Sequence, residues 1–359
     1  MTSEVSQPLK NPKSAGQRTP LLGMTLDMLR ELVEAEGLPR FTATQIADWL
    51  YKKQVLEINS MTNLSKEARQ RLSSKYTVGR EAPVSRLISS DGTCKYLFNG
   101  TGGRAIEAVM IPDRDRATLC VSSQAGCRMN CRFCMTGRQG FHGNLTATGI
   151  INQILSIDEA ADLTNIVFMG MGEPMDNIDA VLQAIEILTA PWGLAWSPKR
   201  ITVSSIGKLD GLRRLLDETN VHVAISVHNP YSSERLAIMP VEKAYPLLDV
   251  IRVLRGYDFS RQRRLSVEYI MWKGVNDNFR YASALARIFK PVKGARVNLI
   301  RFHAIPECDL MPCQQTTMEA FRDHLNRLGM TATIRASRGE DIMAACGMLA
   351  GKQQNQANI

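Results

Sequence analysis

Nowhere in the 359 residues is there a run of about 18 apolar side chains, so no membrane-spanning helix is expected. The N-terminus also lacks the apolar stretch of a signal peptide, which leaves a cytoplasmic location as the expectation. Residues 1–19 have no hydrophobic periodicity; they are polar, rich in Ser, Lys, Gln and Pro, and read as a disordered tail, with a second short tail at 350–359. What is present is ordinary for a soluble globular chain, with 44% hydrophobic and 22% charged residues. A 40.0 kDa chain can bury one large domain with an accessory, or two domains. The formal charge of +9 points to a polyanionic partner, because basic groups gain affinity for nucleic acid by releasing condensed counterions. The eight cysteines do not suggest a disulfide framework. In a reducing compartment their local cluster reads as metal or redox chemistry.

From about residue 20 to 78 the pattern is helical. Leu26, Leu29, Leu32 and Val33 share one helical face, Thr42 with Gln45 resembles a capping box, and Ser65 precedes a third helix at 66–74. Residues 79–112 look extended, with turns at Asp91-Gly92 and Gly102-Gly103, and suggest a short antiparallel connecting sheet. Over 113–349 strands and helices alternate. Strands are expected at 118–122, 165–170, 200–205, 221–227, 265–271 and 296–301, with helices at 147–157, 178–188, 211–218, 247–255, 280–289 and 318–328. This is an α/β pattern. Six parallel strands with right-handed crossovers predict a partial (β/α)6 barrel, whose site should collect at the C-terminal strand ends.

Residues 127–134 read Cys-Arg-Met-Asn-Cys-Arg-Phe-Cys, in a loop just after the first barrel strand. Thiolates are the soft ligands that iron–sulfur clusters need, and three of them leave one iron of a four-iron cluster open. The bland alternatives are a zinc knuckle completed by a residue such as His142, or three buried structural cysteines. Gly170-Met171-Gly172-Glu173-Pro174 ends the second strand. Its glycines allow close backbone approach, and the Glu173 carboxylate can hold an ammonium group. Ser204, and the run Ser226-Val227-His228, end the next two strands.

The cysteine loop, with Phe133 directly before the third cysteine, resembles the radical S-adenosylmethionine (radical SAM) superfamily. Further runs narrow the resemblance: 116–124, Gly140-Phe141, 170–174, and Arg338-Gly339-Glu340-Asp341-Ile342 through Ala344-Ala345-Cys346-Gly347. Together they are similar to the RlmN group of 23S ribosomal RNA adenine-C2 methyltransferases, from about Leu21 to Leu349. The resemblance implies a [4Fe–4S] cluster on Cys127, Cys131 and Cys134. It also implies two molecules of S-adenosylmethionine per turnover, bound at Gly172, Glu173, Ser204, Ser226, Val227 and His228. His303 stands where many relatives carry Asn beside the adenosyl group. Cys346 would take a methyl group and lose a hydrogen atom from it to a 5′-deoxyadenosyl radical. The methylene carbon would then add to C2 of adenine. Cys120 would release the product by forming a disulfide with Cys346, and Glu107 would accept the C2 proton, with Cys120 a competitor.

Partners implied are 23S rRNA, tRNA in some members, and a flavodoxin- or ferredoxin-like electron donor; a monomer is the default. Lys52-Lys53 is the first candidate for RNA contact, and Arg335 with Arg338 forms another basic cluster. Two alternatives stay open: a relative that methylates C8 of the same adenine and confers antibiotic resistance, and a zinc-dependent RNA-binding module without catalysis.

Overall fold

The computed structural model describes residues 18–351, so most of the two tails expected at 1–19 and 350–359 lies outside the described residues. The first tail ends earlier than its expected limit. Thr19–Pro20 (β1) pairs in parallel with Tyr76–Thr77 (β2), and the Leu21 and Leu22 amides continue onto the Thr77 and Val78 carbonyls. Between these strands lie helices Leu26–Ala35 (α1), Thr42–Ala47 (α2) and Lys66–Lys75 (α3).

The apolar face of α1 is buried at Leu29, Leu32 and Val33, and its start is capped by the Thr25 side chain. Ser65 caps α3 in the same way. Thr42, by contrast, is not a cap. Phe41 before it already has helical angles (φ −65°, ψ −20°), so Thr42 is the first residue inside α2 and is buried there. Lys52 and Lys53 both face Asp48, at 3.8 and 3.3 Å, and Lys53 lies 3.7 Å above the Trp49 ring. Part of their charge is therefore offset locally.

The remaining strands are Ser85–Ile88 (β3), Cys94–Asn99 (β4), Ala105–Asp113 (β5), Arg116–Cys120 (β6), Gln124–Gly126 (β7), Phe141–Asn144 (β8), Asn165–Phe168 (β9), Ile201–Ser205 (β10), His222–Ser226 (β11), Leu265–Met271 (β12), Ala295–Arg301 (β13) and Ala332–Ile334 (β14). The helices between them are Met135–Arg138 (α4), Ala147–Leu155 (α5), Ile178–Thr189 (α6), Leu209–Glu218 (α7), Ser232–Ile238 (α8), Leu247–Leu254 (α9), Phe279–Phe289 (α10) and Gln315–Arg327 (α11). Ten strands form one sheet in the order β14-β13-β12-β11-β10-β9-β6-β5-β4-β3. From β6 to β14 every pairing is parallel. The segment expected as a separate connecting sheet is instead the antiparallel end of this one. The tight turn between Asp113 and Arg116 folds β5 directly against β6. Helix α8 and strand β14, which adds a further parallel strand beyond β13, lie outside the set of elements expected from the pattern.

Parallel strands need cover on both faces, which explains why β12 is almost continuously buried. The C-terminal ends of β9, β10, β11, β12 and β13 contribute to one cavity, so the sheet curls around it. That cavity is the site.

Candidate active site

The strands β7 and β8 form a small hairpin whose long connection carries the three clustered cysteines. Gly126, the last residue of β7, has φ +73°, and a Cβ there would lie 2.0 Å from the Gly140 carbonyl oxygen. Only glycine lets the loop leave the hairpin so close to Gly140, whose carbonyl accepts from the Cys127 amide at 2.9 Å. Phe141 of β8 lies beneath the Arg128 guanidinium, 3.9 Å from the ring centre. Cys134 opens the one-turn helix α4. Phe133 turns inward and meets His228 edge-on at 4.8 Å and Trp272 at 5.2 Å between ring centres. This anchors the loop beside the end of β11.

Cys127, Cys131 and Cys134 line a cavity of about 820 Å³, counting the space at its opening. Burial pushes the Cys127 thiol up to about 12 and raises Cys131 and Cys134 as well. Three thiols in such surroundings become thiolates only against a strong positive charge, which iron supplies. Among the described residues no three His, Cys, Asp or Glu side chains close on one point as a single metal ion requires. Three cysteines lining one shared cavity supply the soft donor set that an iron–sulfur cluster takes.

Glu173, which follows Gly172, lines the same cavity close enough to these thiols to act on Cys127 and Cys131 through its charge. Gly172 has φ +98° and a Cβ there would strike the Gln124 side chain at 2.5 Å. Glu173 is 4% exposed. Its two oxygens accept from the Met175 and Ile206 amides, both at 3.1 Å. Burial nevertheless outweighs these bonds and pushes the carboxyl up to about 7. Ser204 and Ser226 line the same cavity from β10 and β11, as does His228. Burial holds the His228 imidazole neutral, down to about 3. Its Nδ1 accepts from the Ile270 amide at 3.1 Å, so Nε2 carries the proton. Val227 differs: its side chain is fully buried away from the cavity, and its carbonyl accepts from Arg235 at 3.1 Å.

Cys346 is exposed and lies on the segment after β14, over the same cavity. It also lines a smaller adjoining cavity with Arg335, His303, Ser337 and Arg338. His303 therefore sits in the second space, where its Nδ1 is 3.1 Å from the Glu340 carboxylate and Nε2 contacts Ser337. Cys120, at the end of β6, is buried and lines neither cavity. Burial, with Cys346 nearby, pushes its thiol up to about 12, and Arg335 pulls the other way. Both thiols are free. Glu107 lies deeper still. It is 2% exposed, and its carboxylate faces Lys95 Nζ at 3.3 Å and the Ala350 amide at 2.7 Å rather than either cavity.

Two family models match the chain: the Radical SAM superfamily over residues 121–282, and the Ribosomal RNA large subunit methyltransferase N-terminal domain over residues 19–78. A "Probable dual-specificity RNA methyltransferase RlmN" from Phocaeicola vulgatus is 56% identical over 343 residues, covering 95% of this chain and 98% of that one. A "Dual-specificity RNA methyltransferase RlmN" from Pelobacter propionicus is 38% identical, covering 94% and 97%. Among solved structures, a radical SAM methyltransferase from Sphaerobacter thermophilus superposes with a TM-score of 0.87 at 36% identity, over 93% of this chain and all of that one. The chain belongs to the RlmN family of radical SAM RNA methyltransferases. It is an enzyme, its substrates are RNA, and membership implies a [4Fe–4S] cluster and S-adenosylmethionine. No helix among the described residues is long and apolar enough to cross a membrane.

Within this RlmN-type site two residues carry no functional signal in the sequence. Arg335 reads there as part of a basic surface cluster, yet its guanidinium reaches the Met169 sulfur at 3.5 Å and lines both cavities beside Cys346. Glu268 lies mid-strand in β12, where a lone acidic residue gives no signal. It is 3% exposed and faces the main cavity. One oxygen accepts from Ser266 at 2.6 Å and Asn298 at 2.9 Å, while the other, buried, has no partner among the described residues.

Proposed function

We propose that this enzyme methylates C2 of an adenine in the peptidyl-transferase region of 23S rRNA and of the adenine 3′ to the anticodon in some tRNAs, with Cys346 carrying the methyl group. The observation behind this reading is that Cys346, on a segment distant in sequence, lines the cavity ringed by Cys127, Cys131 and Cys134. The double specificity is supported by the names of the relatives, which describe dual-specificity RNA methyltransferases.

Cys127, Cys131 and Cys134 would hold the cluster. Glu173 would accept the methionyl ammonium group, and the glycines before it let the backbone come close. Ser204, Ser226, His228 and the Val227 backbone would line the nucleoside, with His303 at its far side. When bound, the cluster supplies the electron that turns S-adenosylmethionine into the hydrogen-abstracting radical. Two molecules of S-adenosylmethionine are used per turnover, and a flavodoxin- or ferredoxin-like protein provides the electron. The first methyl transfer is polar: the Cys346 thiolate forms an S–C bond as the sulfonium C–S bond breaks.

C2 of adenine is electron-poor, so direct polar methylation fails, whereas addition of a carbon radical held on Cys346 succeeds. The base must leave its stack to reach the cavity. The C2 proton passes to Glu107 once the C-terminal backbone withdraws from its carboxylate, or to Cys120. Loss of that proton, together with return of the one unpaired electron to the electron-donor system, leaves a closed-shell thioether joining Cys346 to the base. The Cys120 thiolate then attacks the Cys346 sulfur: an S–S bond forms, the S–CH2 bond breaks with its electron pair on the methylene carbon, and that carbon takes a proton to give the methylated base, the disulfide being reduced by a dithiol before the next turnover. The enzyme acts in the cytoplasm as a monomer, with the N-terminal helices and basic clusters gripping RNA.

Two measurements test this. Ribosomal RNA from a deletion strain should lack 2-methyladenine; loss of 8-methyladenine instead would overturn the C2 assignment. Mass analysis of the Cys346 peptide from protein that turns over should reveal S-methylcysteine. Protein that turns over with that cysteine never methylated would refute the carrier role.

A further inference from the structure

The segment bearing Cys346 leaves β14 at residue 335 and has no regular secondary structure up to residue 351. Its path depends on left-handed backbone at Gly339 (φ +64°), Met343 (φ +52°), Gly347 (φ +85°) and Gly351 (φ +59°). A chain with so few internal hydrogen bonds needs outside partners to stay in one place. Several are on the rim. Asp341 accepts from the Ser89 hydroxyl at 2.5 Å and the Ser90 amide at 3.1 Å, and the Gly339 amide donates to Asp91 at 3.0 Å. The Met135 amide donates to the Gly347 carbonyl at 2.8 Å.

One set of partners is of a different kind, because it is charged and buried. Lys95 on β4 and Glu107 on β5 are 6% and 2% exposed and stand 3.3 Å apart. Lys95 also donates to the Met343 carbonyl at 3.4 Å, three residues before Cys346. The other Glu107 oxygen accepts from the Ala350 and Gly351 amides at 2.7 and 3.2 Å, just after it. One ion pair thus holds both shoulders of the segment that presents Cys346. Burying two charges is costly, and an apolar pair would fill the space between β4 and β5 as well. What an apolar pair cannot do is donate to the Met343 carbonyl and accept two amides.

We propose that the Lys95–Glu107 pair is a latch that sets the position of Cys346 over the cofactor cavity, with Lys95 a positioning residue. This rests on the reading of Cys346 as the methyl carrier. The same latch must open before Glu107 can face a base, because its carboxylate is taken up by Lys95 and by the Ala350 and Gly351 amides. It therefore separates the step in which Cys346 is methylated from the steps on RNA.

The test uses the anaerobically reconstituted full chain and the variant Lys95→Met. Amide exchange in peptides covering 338–351 should become about tenfold faster, the order expected when one buried hydrogen-bonded anchor is lost. Iron content and S-adenosylmethionine affinity should stay at wild-type values, while the rate of Cys346 S-methylation falls severalfold. A merely structural lysine would not separate these readouts. If Lys95→Met fails to fold, the double variant Lys95→Met with Glu107→Gln avoids an uncompensated charge. Its introduced carboxamide would keep the Ala350 and Gly351 amides protected while the amides at 340–346 exchange faster. Wild-type exchange across 338–351, with wild-type methylation in a folded variant, would overturn the latch. Absence of methyl on Cys346 in the wild-type enzyme would instead defeat the carrier reading, while the exchange result would still judge the latch.

Discussion

Replacing Glu173 by Gln probes the part of the cavity with the most unusual electrostatics. Its carboxyl is buried and raised to about 7, although it accepts two backbone amides. Relative to an ordinary glutamate near 4.5, the raised value costs about 3 kcal/mol of stability once the group is ionised. The sign follows from proton uptake. Between about pH 4.5 and 7 the folded chain binds more protons at this site than the unfolded one, so the contribution of Glu173 to stability falls as pH rises through that window. An ammonium group brought against the carboxylate recovers this cost. A charged hydrogen bond there contributes roughly 1.5–3 kcal/mol, or about 10- to 150-fold in affinity. Binding of S-adenosylmethionine by the reconstituted wild-type protein should therefore weaken below about pH 7, as Glu173 protonates, and again above about pH 8, as the ligand's amine loses its proton. Glu173→Gln should bind at least tenfold more weakly at neutral pH and lose the acidic limb. It should also be the more stable form without ligand above about pH 7. Calorimetric titration from about pH 6 to about pH 9 reads the affinity, and thermal melts read the stability. Affinity within twofold of wild type, or an unchanged acidic limb, would refute the role given to this carboxylate.

Three other substitutions address the supports of the site. Arg235 is fully buried against Glu242, and it also donates to the Ile206, Ser226 and Val227 carbonyls at 3.2, 3.0 and 3.1 Å, tying together the ends of β10 and β11. Arg235→Met leaves Glu242 buried without its cation and should cost about 3–5 kcal/mol in denaturant melts, so a loss below about 1 kcal/mol would contradict this account. Gly126→Ala combines a left-handed φ with a 2.0 Å overlap on Gly140. It should lower iron and acid-labile sulfide per chain by well over half while the N-terminal helices stay folded, and a normally loaded variant would show that the hairpin is more yielding than its geometry. Cys120→Ala removes the thiol proposed to resolve the crosslink, so denaturing gels after turnover should retain RNA joined to protein through Cys346. Free methylated RNA with no crosslink would rule Cys120 out as the resolving group.

Apart from α4, α8 and the β7–β8 hairpin, the alternation of β6 through α11 is legible because its strands are short apolar runs and its helices keep one apolar face. Leu265–Met271 and Ile178–Thr189 show this plainly. The three cysteines and the Gly172-Glu173 turn are legible because their chemistry is compressed into a few consecutive residues. Other features depend on pairings that leave no local trace. Thr42 resembles a cap, but Phe41 before it has already entered the helical turn. The segment after residue 79 reads as a separate sheet because strand pattern says nothing about which edge a strand will join. Arg335 and Arg338 are close together on an irregular segment, and only the fold turns the first toward Met169 and the cavity.

The same limit bears on how the chain controls its own reaction. Cys346 reacts with three different groups in the proposed sequence: a sulfonium, a nucleobase and a second thiol. A residue on a rigid strand could not serve all three, and one on a loose tail would meet Cys120 too early. Anchoring the segment at several weak points on the rim and at one buried pair satisfies both demands. The two ends of that pair's grip, Met343 and Ala350, are only seven residues apart. Release of this ion pair would therefore loosen the stretch at Met343 and at Ala350, while Gly347 and Leu349 stay held by the Met135 amide and the Thr136 hydroxyl. Lys95 gives no signal in sequence because its partners lie 12 and 248 positions away. Its meaning comes entirely from the strand pairing that sets β4 beside β5 and folds the C-terminal segment back across them.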